Sequence, residues 1–274
     1  MRERAIARVL TIAGSDSGGG AGIEADIKTI SALGGYACTA ITAVTAQNTT
    51  GIYGVHVLPA EFVALSIATV LGDIGADAIK IGMLAEPEIA EAVAHALPEA
   101  IPLVLDPVLV ASSGAQLLSP AAVAVLRARL IPRASLVTPN LPEAAALTGL
   151  AVASVADAET AGRALLAMGA KAVLVKGGHG AGETLTDVLV QPERVERFTH
   201  RRIAGVGGHG TGCALAAGIA TGLGQGMPLA AAVARAERYL QAALAASPGL
   251  GKGAGPVWHG VAPPGHGVAP PVGG

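Results

Sequence analysis

Short β-branched runs alternate along the chain with longer segments in which apolar residues recur every three or four positions. Residues 9–13 predict a strand. Residues 23–33 predict a helix, with Ile23, Ile27 and Ile30 on one side. Strands follow at 36–46 and 52–58, around the polar turn Gln47-Asn48-Thr49-Thr50-Gly51. The pattern continues as helix 60–71, strand 78–81, helix 87–96 and strand 103–105, the last ending at Asp106. Ser119 and Pro120 open a helix through residue 130, with the serine as cap and the proline in the first turn. Beyond it lie strand 136–138, helices 142–147 and 158–168, and strand 172–175. Residues 185–190 and 195–199 read as consecutive antiparallel strands, and helices at 211–223 and 229–246 close the series.

Strand–helix alternation of this kind predicts an α/β fold, a mostly parallel sheet covered on both faces. No change of composition divides the chain, so one domain is expected over 1–260. The Pro/Gly-rich residues 261–274 have no helical or strand period and are expected to form a flexible tail. The 274 residues are 51% hydrophobic, which supports a sizeable core and excludes disorder of the whole chain. The formal net charge of −2 argues against a nucleic-acid partner. Residues 29–60 and 203–234 carry no Asp, Glu, Lys or Arg. The first run contains Gln47, Asn48 and His56, and the second is Gly-rich with His209, Gln225 and Pro228, so no membrane span is expected. Cys38 and Cys213 form no zinc or disulfide pattern, and a reducing, cytoplasmic setting is the default.

Ligands of open parallel sheets bind outside the carboxyl ends of the strands. There the sequence places Gly14 to Gly22, Gln47-Asn48, Met83, Asp106, Asn140 to Glu143, Lys176 to His179, and Gly207 to Cys213. The first glycine loop is either a tight connection or a close backbone approach to a ligand. It is not G-x-G-x-x-G, and no Walker P-loop exists in the chain. The second glycine loop opens an uncharged helix, which is anion-binding geometry. With Lys176 and an acidic metal ligand nearby it would suit phosphoryl transfer. Cys213 falls in that helix's first turn, where its thiol pKa is expected to be lowered; a small buried cysteine is the alternative. Asp106 fits a magnesium ligand, a helix cap or a plain turn residue. Glu143 fits simple helix-dipole pairing. Lys176 fits either a surface lysine or a phosphate ligand. Cys38 reads as core, and His179 and His209 as local hydrogen-bonders in their loops.

The stretches LTIAGSDSGGGAGIEADIKTISALGGYACTAITAVTAQNT, KIGML, VLDPV, SGAQLLSPAAV, TPNLPEAAALTG, LLAMGAKAVLVKGGH, HGTGCALAAGIA and GKGAGPVWH are spread over about residues 8–260. In these the chain resembles the hydroxymethylpyrimidine/phosphomethylpyrimidine kinases of thiamine biosynthesis, in the ribokinase-like superfamily. The resemblance implies a three-layer αβα homodimer with ATP and Mg²⁺ as co-substrates. It implies phosphorylation of 4-amino-5-hydroxymethyl-2-methylpyrimidine and then of its monophosphate. By position, Asp26 and Gln47 would hold the pyrimidine, in a pocket lined by Gly14, Met83 and Val108. Lys176 would meet the ATP phosphates, and Asp106, Asn140 and Glu143 would organise magnesium and its waters. Gly210, Thr211 and Gly212 would supply an anion hole, with Cys213 as the base or the group that orients the hydroxyl. Two positions depart from the family pattern. Ser17-Gly18 stands where Pro-Ser is usual, and Gly207-Gly208 where Asn-Thr is usual. A pyridoxal kinase and a non-catalytic pyrimidine-binding module are the alternatives.

Overall fold

The computed structural model describes residues 6–109, 118–178, 182–203 and 208–261. The chain runs β1 (Arg8–Ala13), α1 (Gly22–Ala32), β2 (Tyr36–Ile41), β3 (Ala43–Asn48) and β4 (Gly51–Val57). It continues through α2 (Ala60–Asp73), β5 (Ala78–Ile81), α3 (Pro87–Ala96), β6 (Leu103–Leu105) and α4 (Pro120–Val125). Then come β7 (Leu136–Val137), α5 (Leu141–Thr148), α6 (Val155–Ala167), β8 (Val173–Val175), β9 (Thr184–Val190) and β10 (Val195–Arg201). Helices α7 (Thr211–Gly224) and α8 (Leu229–Ala245) complete the order.

Eight strands form one sheet in the order β10-β9-β8-β7-β6-β5-β1-β2. Strands β2 through β8 of that order pair in parallel, and the β9–β10 hairpin adds an antiparallel edge. The expected fold class therefore holds. Successive strand residues point to opposite faces. Val9, Ala78, Val104, Leu136, Leu174 and Leu189 pack on one face with residues of α1, α7 and α8. Leu10, Ile79, Leu105, Val137, Val175 and Val188 pack on the other with residues of α2 to α6. The uncharged run 203–234 explains itself here. Helix α7 is apolar all round because it lies between the sheet and α8. A Cβ on Gly222 would come 2.7 Å from that of Ala232, so the two helices meet through small residues. No helix among the described residues is long and apolar enough to cross a membrane.

Two expectations are corrected. The single strand 36–46 is two strands in different sheets, since β3 pairs only with β4 in a separate ribbon. The break is Thr42. Its N–H donates to Ala13 O, its hydroxyl to Met83 O, and its carbonyl accepts from Leu58 N. Those tertiary bonds pull it out of both ladders. The helix expected through residue 130 keeps α-geometry only to Val125; a π-turn at Leu126–Leu130 and a 3₁₀ turn at Ile131–Arg133 follow. Pro132 has no N–H to continue the helix. The expected cap is present, as Ser119 accepts from Ala122 N at 3.2 Å. Residues 262–274, expected as a tail, lie outside the described residues, as do His179 and Gly207.

Leu174 lies fully buried in the central layer. Leu174→Ala is expected to lower the unfolding free energy by about 2–5 kcal/mol, read from urea unfolding midpoints at unchanged slope.

Candidate active site

Strands β1, β5, β6, β7 and β8 end together, and the residues that follow them meet the start of α7. Loop 14–22 is shaped by Asp16, which is 2% exposed. Its carboxylate accepts from the N–H groups of Gly18 at 2.8 Å, Gly20 at 2.9 Å and Ala21 at 2.8 Å. His209 Nε2 lies 2.8 Å from the same carboxylate. Burial alone would raise the Asp16 pKa, but His209 and these N–H groups outweigh it and hold it below the usual carboxylate value. The two glycine loops therefore interlock. Gly210 caps α7 at φ 82°, and a Cβ there would lie 1.7 Å from Gly20 O. Only glycine fits that contact and that backbone. His209 is thus not a local loop residue; it reaches back to Asp16 and lies 3.4 Å from Gln47 Nε2.

The predicted phosphate and metal residues come together at Gly212. Lys176 Nζ donates to Asp106 Oδ1 at 2.8 Å, and Thr138 donates to the same oxygen at 3.1 Å. A Cβ on Gly212 would lie 3.2 Å from Lys176 Nζ and 3.4 Å from Asp106 Oδ2. Lys176 is not a surface lysine, since its side chain is 13% exposed. Burial works against its charge, but Asp106 and Glu143 raise its pKa overall. Asn140 and Glu143 form a reciprocal capping box at the start of α5, with both bonds at 2.8 Å. Their dipole and capping role is therefore real, and it sets Glu143 beside Lys176 and Asp106. Burial and the Asp106 charge push the Glu143 pKa up to about 7, against the opposing pull of Lys176.

A second buried group lies beneath Cys213. Asp26 and Lys80 form an ion pair at 2.8 Å with no exposed side-chain surface on either residue. The Thr11 hydroxyl donates to Asp26 as well, while Asp26 Oδ1 has no hydrogen-bond partner. Asp26 therefore belongs to the floor under the loops rather than to an open wall. Burial raises its pKa and outweighs Lys80. Burial also opposes the Lys80 charge, but Asp26 and its neighbours raise that pKa. No motif marks Lys80, although its position is informative. A lysine inside the apolar strand Ala-Ile-Lys-Ile needs a buried partner, and Asp26 lies on the buried stripe of α1 with Ile23 and Ile30.

The expected lowering of the Cys213 pKa is reversed. Burial pushes its thiol up to about 11, with Asp26 and Asp106 adding to the shift and Lys80 opposing it. Two carboxylates near the sulfur and the loss of water outweigh the helix terminus.

Gln47 lines a cleft of about 360 Å³ with His209, Gly253 and the Asn48–Gly51 turn. Ser17 latches it: the Gln47 N–H donates to Ser17 Oγ at 2.8 Å, and Ser17 Oγ donates to Gln47 O at 2.7 Å. This departure from the family pattern thus replaces a ring by two hydrogen bonds. The C-terminal segment closes the cleft, as Ala254 N donates to Thr49 O at 3.0 Å and Pro256 bridges to His209. Gly14 and Met83 pack together, since a Cβ on Gly14 would lie 2.2 Å from Met83 Cε. Val108 follows Asp106 in the turn after β6, half-buried, its N–H on Asp106 O at 2.9 Å.

An αβα sandwich with a glycine-rich anion loop facing a lysine–carboxylate pair is the architecture of the ribokinase-like kinases. The family model for phosphomethylpyrimidine kinases matches residues 16–258, and the chain belongs to that family. A curated hydroxymethylpyrimidine/phosphomethylpyrimidine kinase of Rhizobium meliloti is 49% identical over 91% of this chain and 96% of its own length. The thiamine biosynthesis bifunctional protein ThiED of Geobacter sulfurreducens is 48% identical over 92% of this chain. The chain spans only 52% of that longer protein. Among solved structures, the phosphomethylpyrimidine kinase of Clostridium difficile shares 40% identity at TM-score 0.76, covering 86% of this chain and 98% of that one. A Staphylococcus aureus pyridoxal kinase in complex with ADP shares 33% identity at TM-score 0.87, covering 94% of each chain.

Two outcomes test these electrostatics. Iodoacetamide labelling of Cys213, followed by peptide mass spectrometry, should stay slow at neutral pH and accelerate only toward pH 11; half-maximal rate near pH 7 would contradict a protonated thiol. Lys80→Met should cost about 3–5 kcal/mol in urea unfolding by stranding Asp26, and adding Asp26→Asn should recover most of it.

Proposed function

We propose that this chain is an ATP- and Mg²⁺-dependent kinase. Its substrates are 4-amino-5-hydroxymethyl-2-methylpyrimidine and then that pyrimidine's monophosphate. The observation that carries this is the meeting of Lys176 and Asp106 at Gly212, in the mouth of a glycine loop whose His209 touches Gln47. The Gln47 amide offers both a donor and an acceptor to an aminopyrimidine edge. The family membership and the 49% identity to a named hydroxymethylpyrimidine/phosphomethylpyrimidine kinase support the same substrate.

The loop N–H groups of Gly210, Thr211 and Gly212 at the α7 terminus would hold transferring phosphoryl oxygens, and Lys176 would neutralise their charge. Asp106, Asn140 and Glu143 offer hard oxygen donors, and burial raises the Glu143 pKa with Asp106 adding to it, so a divalent cation would favour the ionised carboxylate there. When bound, Mg²⁺ supplies charge neutralisation between the phosphates. The hydroxymethyl oxygen attacks the γ-phosphorus, the bond to the β–γ bridging oxygen breaks, and ADP leaves. In the second round a phosphate oxygen of the monophosphate attacks in the same way. A protonated Cys213 orients the hydroxyl by hydrogen bonding instead of removing its proton. A loose transition state needs little base, so the proton departs late, to an oxygen of the transferred phosphoryl group.

A homodimer is proposed as well. Val44, Tyr53 and Val55 of the β3–β4 ribbon, and Phe62 and Leu65 of the helix after it, are all exposed. Both cysteines are free thiols, which suits a cytoplasmic setting.

A coupled ADP-release assay tests the proposal with hydroxymethylpyrimidine, its monophosphate and pyridoxal in parallel. Turnover of both pyrimidines, abolished by EDTA and restored by Mg²⁺, is expected. Turnover of pyridoxal alone would move the chain to the activity of its Staphylococcus neighbour. Silence on all three would leave a binding module. Lys176→Met should lower kcat on the order of 10²–10³-fold. Cys213→Ala should lower it on the order of 10²-fold at unchanged pH profile, and near-normal turnover would remove the cysteine from the mechanism.

A further inference from the structure

A second group of chemistry-bearing side chains lies at the antiparallel edge of the sheet. Asp187 on β9 and His200 on β10 share the sheet face of Leu189 and Phe198, the face covered by α8. Glu237 projects from α8 between its buried residues Val233, Ala236 and Leu240. One ligand atom from each of Asp187, His200 and Glu237 can be chosen so that all lie within 4.8 Å of one another. Asp187 is 4% exposed and Glu237 7%.

The trio is only partly satisfied internally, since Asp187 and His200 both lean on the one Glu237 carboxylate. Glu237 Oε1 is buried and has no hydrogen-bond partner. His200 Nδ1 lies 3.2 Å from Glu237 Oε2 but lacks the alignment of a hydrogen bond. Asp187 has one clear donor, the Gly177 N–H at 2.6 Å from Oδ1. Two carboxylates thus face one imidazole in a site that excludes most water. Leaving such groups unpaired is costly, and a buried orphan oxygen aimed at its neighbours calls for a ligand.

We propose that Asp187, His200 and Glu237 form a binding site for a first-row divalent cation of the Zn²⁺ class. The ion would clamp the β9–β10 hairpin to α8. One imidazole nitrogen and two carboxylate oxygens suit such an ion, and three protein ligands leave a position for water. Bonds of about 2.0–2.2 Å in a tetrahedral site set ligand atoms about 3.3–3.6 Å apart, so a trio lying within 4.8 Å closes around the ion by about an ångström, a side-chain rotation. Burial and the Glu237 carboxylate push the Asp187 pKa up, the mark of a carboxylate crowded by another. Because Gly177 follows Lys176, the clamp lies directly behind the phosphate-facing lysine. It touches no proposed substrate atom and is structural.

The test uses the full chain, stripped with EDTA, dialysed, and kept free of ATP and Mg²⁺. ZnCl₂ is titrated by calorimetry in buffers of different ionisation enthalpy, and Co²⁺ serves as a spectroscopic probe. One equivalent should bind and raise the thermal midpoint. Bound Co²⁺ should show visible d–d bands without the intense near-ultraviolet band of a cobalt–thiolate bond, which excludes Cys38 and Cys213. His200→Ala and Glu237→Gln should each weaken binding about tenfold or more and remove the thermal shift. ADP release without added Zn²⁺ should be retained in both variants, which reports their folding independently of the metal. Absence of binding to the wild-type chain, a thiolate band, or equal affinity in both folded variants would overturn the proposal. If neither variant folds, the wild-type stoichiometry and Co²⁺ spectrum decide it.

Discussion

The site depends on one buried carboxylate. Asp16 gathers three backbone N–H groups from its own loop and meets a histidine from the far end of the chain. Without it, a run of glycines has no reason to hold one conformation, because each glycine loses more backbone freedom on ordering than any other residue. With it, loop 14–22 becomes a fixed surface against which Gly210 can close. Everything downstream inherits that registration: the direction of the α7 terminus, the depth of Cys213 and the approach of Lys176 to Gly212.

Around this frame the protein buries charge in pairs and uses the imbalance. Asp26 and Lys80 neutralise each other in the floor, and Lys176 and Asp106 do so beside Gly212. Glu143 is left as the carboxylate short of compensation. The same crowding governs Cys213. A helix terminus favours a thiolate in isolation, but here burial of the sulfur raises its pKa, and Asp26 and Asp106 work against the pull of Lys80. The cysteine is therefore better suited to holding a hydroxyl in line than to taking its proton.

Most of the architecture was legible because the two periodicities rarely compete. Strands at 78–81 and 103–105 and the helix at 87–96 occur where the pattern places them. The β2–β3 break was not legible. Ile41, Thr42 and Ala43 contain no glycine or proline, and only contacts from Ala13, Met83 and Leu58 divide the strand. The predicted phosphate and metal residues do assemble, because they follow adjacent parallel strands and the topology brings those ends together. Asp26 was placed in the right region but at the wrong depth, since its burial follows from Lys80, a residue 54 positions away. His209 looked local because its true partner is 193 positions distant.

The cleft beside Gln47 is closed by residues 253–256, which bond to the tip of the β3–β4 ribbon and bridge to His209. This has a consequence for biosynthesis. The ribbon leaves the ribosome about two hundred residues before its covering segment does, and domains can begin folding during synthesis. The sheet and its first glycine loop can form early, yet the wall that gives the cleft its shape arrives only with the last turns of the described chain. A nascent chain of this protein therefore carries its ribbon and first glycine loop long before it has a finished binding site.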